Sequence, residues 1–169
     1  MASQITLKNN ILNLSNNLIT TNLGESSISL LIEKTKDEWS TAFGNYLSEV
    51  IVAGVQTSLT EETIKTAAYG GLSLLGTTTS LTSFVEVLLL GMDAAHTAIA
   101  LAATTGTTVA TPPAATVVTR TAAAMSLTTL MSVQISDPEI FAQGVSLILD
   151  TYTRTGISVI GSSPPVNWI

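Results

Sequence analysis

The chain contains one histidine, His96, and no cysteine. Nucleophilic catalysis by Ser or Thr needs a base within hydrogen-bond reach, most often a histidine. Asp93 precedes His96 by three residues, so on a helix the two share a face and the carboxylate can orient the ring. A structural histidine is the simpler reading, because the other parts of a catalytic centre are missing. No Gly-x-Ser-x-Gly elbow occurs. Gly70-Gly71 is not followed by the Gly-Lys-Ser/Thr of a phosphate loop. Absence of cysteine excludes thiol, iron–sulfur and Cys-based zinc sites, and one His excludes a two-His site. The paired acids Asp37-Glu38 and Glu61-Glu62 point about 100° apart on a helix and do not converge. Glu86 and Asp93 lie seven residues apart and share a helix face. They read as the polar stripe of a bundle helix, or as a subunit contact with Arg120 as counter-ion. No catalytic residue, cofactor or metal site is expected.

The elements that position these residues are mainly helical. Leu7, Ile11, Leu14 and Leu18 form one stripe of a helix over about 4–23, with Gly24 as its stop. A second helix is expected over about 27–55, where Ile28, Ile32, Trp39, Phe43, Tyr46, Leu47, Val50 and Ala53 keep the 3–4 spacing. On it Lys34 and Glu38 can pair, whereas Glu33 and Asp37 repel. Ser58-Leu59-Thr60-Glu61 has the form of a capping box opening a third helix, which Gly70-Gly71 weakens and Gly76 ends. A fourth opens near Ser80 or at a Ser83–Glu86 box and runs to about Ala103. Thr104–Thr121 is rich in Thr and Val around Pro112-Pro113, which suggests a β-hairpin-like excursion or a long loop. A helix over about 122–133 follows. Ser136-Asp137-Pro138-Glu139 then starts a last helix that runs to about Thr153. The close, GISVIGSSPPVNWI, reads as a short strand and an extended tail. The expected fold is a helical bundle over 1–155, carrying the 104–121 excursion, with a strand and tail over 156–169.

Charge is scarce and unevenly spread. Only 11% of the 169 residues are charged, against 27 Thr and 18 Ser, where about 25% is usual. Between residues 66 and 136 only Glu86, Asp93 and Arg120 are charged. The net charge is −6, and no Lys/Arg cluster exists, which disfavours nucleic-acid binding. The N-terminus lacks the basic and apolar regions of a secretory signal. Residues 81–103 are apolar enough to suggest a membrane span, but Glu86, Asp93 and His96 interrupt it. A buried helix is the expectation.

Uncharged surface of this kind suits contact with other proteins, since interface cores are depleted in charge. The candidate contact residues are Val109, Pro112, Pro113 and Val117 in the excursion, and Pro164, Pro165, Val166, Trp168 and Ile169 in the tail. Both segments are expected to reach over neighbouring subunits, with Trp168 as the anchor, although the apolar Trp-Ile end suits a groove in its own domain equally well.

The segment EWSTAFGNYL over 38–47, the Ala-rich middle and the close DTYTRTGISVIGSSPPVNWI resemble small structural proteins of tailed bacteriophages. The resemblance implies a virion subunit of tail, baseplate or neck, made in the host cytoplasm. Its partners would be copies of itself and neighbouring structural proteins, with no small-molecule substrate. The alternatives are a membrane-active protein drawing on residues 81–103, and a small ligand-binding bundle using Asp93 and His96.

Overall fold

The computed structural model describes residues 4–22, 28–133 and 135–169. The helices are α1 (Gln4–Asn22), α2 (Ile28–Leu47), α3 (Glu61–Gly71), α4 (Leu81–Ala103), α5 (Val117–Ser132) and α6 (Pro138–Thr153). Each packs on the next in sequence, and α6 returns to pack on α1, so the six close a ring. The fold is mainly α, as expected.

Local chemistry explains most helix ends. Thr60, not Ser58, caps α3 and accepts from the Thr63 amide. Ser80 and Ser83 form the reciprocal box that opens α4. Glu86 does not take part in it, because its carboxylate turns to Arg120. Asp137 caps α6 by accepting from the amides of Glu139 and Ile140, with Pro138 at the first position, where its missing N–H costs nothing. After Gly71, α3 tightens into a 3-10 turn over Leu72–Thr77. The stop expected at Gly24 lies outside the described residues, as do the side chains of Leu18 and Ile28.

The core runs through the ring. Leu7, Ile11 and Leu14 of α1 face Trp39, Phe43, Tyr46 and Leu47 of α2 across one buried cluster, which continues through Leu88, Leu89 and Met92 of α4 to Leu149 and Tyr152 of α6. Helix α4 is long and apolar enough to cross a membrane. Here it is the inner helix, packed against α2, α3 and α5, and eleven of its 23 residues are buried. Two glycines bring helices close. A Cβ on Gly71 would stand 2.7 Å from the Cα of Gly91, and one on Gly144 would stand 2.8 Å from Leu130 Cδ2.

Two segments differ from the sequence expectation. The second helix ends at Leu47, and residues 51–56 form a hairpin of β1 (Ile51–Val52) and β2 (Val55–Gln56). Ala53 and Gly54 both have positive φ, 55° and 79°, the backbone that a two-residue hairpin turn requires. The apolar spacing of Val50 and Ala53 thus belongs to a hairpin, although Val50 is still buried.

The 104–121 excursion is not a self-paired hairpin. Only its first arm is a strand, β3 (Thr108–Thr111). The chain then turns through Pro112 and a 3-10 turn at Pro113–Ala115, and α5 begins at Val117. Burial of Ala123, Ala124 and Leu127 fixes α5, overriding the small helix penalty of its Val and Thr residues. β3 pairs instead with β4 (Ile157–Ile160), and β4 pairs with β5 (Val166–Asn167), giving an antiparallel sheet in the order β3-β4-β5. The last residue ties the tail to the first hairpin: Ile51 and Ile169 exchange backbone hydrogen bonds of 2.7 and 3.1 Å.

Candidate functional site

The acidic positions of α4 meet one cation. Seven residues separate Glu86 from Asp93, so both lie on the side of α4 that faces α5. From α5, Arg120 donates through Nη1 to Glu86 Oε2 at 2.6 Å and through Nε to Asp93 Oδ2 at 2.8 Å. Tyr152 of α6 donates to the other Asp93 oxygen at 2.6 Å. One carboxylate therefore ties three helices. Of the two readings, the counter-ion is Arg120, and it is supplied within the chain. Burial works against the Arg120 charge, but its bonds to Asp93 and Glu86 outweigh that and raise its pKa. Burial and the Asp93 carboxylate both push the Tyr152 hydroxyl up.

A second tie joins α2 to α6. Tyr46 donates to Asp150 Oδ1 at 2.7 Å, while Arg154 holds the same carboxylate through Nε and Nη2 at 2.8 and 3.2 Å. The separation of 104 residues makes Tyr46–Asp150 invisible to a reading of spacing.

His96 is fully buried between these ties. Its Nε2 lies 3.0 Å from Thr153 Oγ1, and Thr153 donates its own proton to the Leu149 carbonyl. That assignment makes Nε2 the donating nitrogen of the ring, and among the described residues Nδ1 has no hydrogen-bond partner. Desolvation pulls its pKa down from 6.5 to about 3, so the imidazole is neutral. Tyr152 and Trp168 meet the ring edge-on, with centroids 5.7 and 5.9 Å away. The Asp93–His96 pairing weighed from spacing does not form, since Asp93 turns to Arg120 and Tyr152. Among the described residues no cluster of three or more His, Asp or Glu is placed to hold a metal.

The candidate contact residues fall into two groups. Trp168 is buried in the chain's own core, 1% exposed, with its amide bonded to the Gly156 carbonyl at 2.9 Å. Pro113 is buried as well. Of the two seats open to the Trp-Ile end, Trp168 takes the one in its own domain, and Pro113 likewise packs within the chain. Pro112 is half-buried, and Pro164, Pro165, Val166 and Ile169 are exposed. Val109 and Val166 are exposed on the two strands flanking β4. Val117 is exposed at the start of α5.

Around Val117 lies a face that spacing alone did not single out. Val117, Val118 and Met125 of α5 are 75%, 76% and 66% exposed, and Leu147 of α6 is 52% exposed. Between the helices runs an apolar groove of about 350 Å³, lined by Ala122 and Ser126 on one side and Leu147, Ile148 and Thr151 on the other. The only charge in α5 is Arg120, which is turned toward α4. Glu139 of α6 pairs with Lys8 at 2.7 Å, and Asp150 is held by Tyr46 and Arg154. The signal in the sequence was the missing charge over 66–136, but the buried and exposed apolar residues of that stretch look alike until the helix is placed. No family model, curated protein or solved structure matches this chain.

Proposed function

We propose that the chain is a non-enzymatic structural subunit of a multimeric assembly, acting through contacts with copies of itself and with neighbouring structural proteins. The observation that carries this reading is the uncharged α5–α6 face. A surface helix of a globular protein normally presents a polar outer side. α5 instead turns Val117, Val118 and Met125 outward. Uncharged surface that carries exposed apolar side chains suits contact with another protein.

The resemblance to tailed-phage structural proteins makes a virion the kind of assembly proposed. The polar residues of the interior support a structural role, because they are spent on ties between helices. Mass measurement in solution by light scattering tests the first part. A species larger than the 17.6 kDa chain is expected at micromolar concentration. A monomer at every concentration that also fails to enter a purified particle would remove the proposal.

A further inference from the structure

We infer that the α5–α6 face is a self-complementary contact, covered by the same face of a second copy related by a two-fold axis. This rests on the assembly reading above and names the surface that carries it.

Charge argues for a second copy of this chain. The protein carries a net −6, so copies repel one another wherever their acids meet. Among the described residues, exposed acids lie on α2, on α3 and at the start of α6, and the half-exposed Glu86 beside α5 is neutralised by Arg120. The α5–α6 face has none, so two copies approach there without like-charge cost. An uncharged apolar surface also gives a basic or acidic partner nothing to pair with.

Shape argues for the two-fold. On α5, Val118 and Met125 are seven residues apart and make one projecting ridge. Ala122 and Ser126 lie beside that ridge and form the wall of the groove. Ridge and groove therefore adjoin on one face. A two-fold axis seats each copy's ridge in the other's groove, the isologous arrangement. A head-to-tail contact would need the groove and its filler on different faces.

The size sets the strength. Two 16-residue helices side by side give a face about 24 Å long and roughly 20 Å wide. That projects to about 480 Å² per copy, below the ~800 Å² each partner buries in a standard interface, which makes the contact a small one.

The test uses the full chain and its variants Val118→Glu, Met125→Glu and, as a control, Leu101→Glu. Leu101 is 72% exposed at the far end of α4. The two α5 variants should weaken self-association at least tenfold with unchanged circular dichroism, while the control associates like the parent. Because the chain lacks cysteine, Thr121→Cys and Met125→Cys report contact directly. At least one should oxidise to a covalent dimer, and Leu101→Cys should not. A parent that assembles while both glutamate variants assemble equally well, with no α5 cross-link, overturns this face and leaves the assembly reading standing. A parent that never associates overturns both. A parent that stays monomeric and floats with phosphatidylcholine vesicles assigns the face to a bilayer and overturns the inference. If a glutamate variant unfolds, the cross-linking pattern decides alone.

Discussion

Trp168 and Gly156 are in such close contact that a Cβ on Gly156 would stand 2.5 Å from Trp168 Cδ2. The missing side chain is the seat of the indole. A buried aromatic removes about 150–250 Å² from water, worth roughly 4–6 kcal/mol at ~25 cal/mol/Å². Gly156→Ala should therefore cost about 1–3 kcal/mol by overpacking, and Trp168→Ala about 3–5 kcal/mol. Thermal unfolding measures both, at about 2–4 °C per kcal/mol for a chain of this size. Deleting Pro164–Ile169 should destabilise the fold more than either substitution. A truncated chain that melts like the parent would show that the tail is dispensable to its own domain.

The two adjacent glycines of α3 should behave oppositely. A Cβ on Gly70 meets open space, whereas one on Gly71 runs into the backbone of α4 at Gly91. Gly70→Ala should be neutral or stabilise by up to about 1 kcal/mol, the helix-propensity difference. Gly71→Ala should destabilise, because α3 and α4 must move apart along a major contact of the core. Denaturant midpoints of the two variants, measured beside the parent, separate these effects. Equal shifts would mean that the close approach to Gly91 does not matter.

The three-helix tie at Asp93 should be graded by burial. Glu86 is the outer partner, its side chain 44% exposed, whereas that of Asp93 is 12% exposed. Glu86→Gln should cost no more than about 1 kcal/mol, as for exposed pairs. Arg120→Met should cost more, about 2–4 kcal/mol, because it leaves Asp93 in a dry site with only Tyr152 as donor. A double-mutant cycle over Asp93 and Arg120 measures the pair itself. A coupling near zero would place Arg120 among ordinary surface residues.

How much of this was legible in the sequence depended on range. The start of α6 was readable because Asp137, Pro138 and Glu139 act on the first helical turn they adjoin. The Glu86–Asp93–Arg120 cluster was half legible, since i,i+7 spacing and the lack of other cations between residues 66 and 136 left few partners. Residues 50–55 misled because Val50 and Ala53 fit a helical stripe, and only the positive φ of Ala53 and Gly54 distinguishes the hairpin. Residues 117–121 misled because Val and Thr favour strands locally, while burial of Ala123 and Leu127 further along set the helix. The seat of Trp168 was invisible, because it depends on Gly156, His96 and the hydrogen bonds that the next residue, Ile169, exchanges with Ile51, which no local pattern records.

Burial of His96 makes stability depend on pH in a defined direction. Its pKa falls from 6.5 to about 3 on folding, so between those values the unfolded chain takes up a proton that the folded chain refuses. The contribution is fully present above about pH 6.5 and is lost as pH falls toward about 3, at about 1.4 kcal/mol per pH unit. Other groups also respond to acid, so the comparison is with His96→Gln, which removes this term and keeps a side chain of similar size. Unfolding free energies of the two proteins, measured from about pH 7 down to about pH 4, should converge as the pH drops. The parent should show the steeper loss, by about 1.4 kcal/mol per unit. Parallel curves would mean that His96 is protonated in the folded chain, and Thr153, whose hydroxyl proton is committed to the Leu149 carbonyl, would then be left accepting from an imidazolium with no anion beside it.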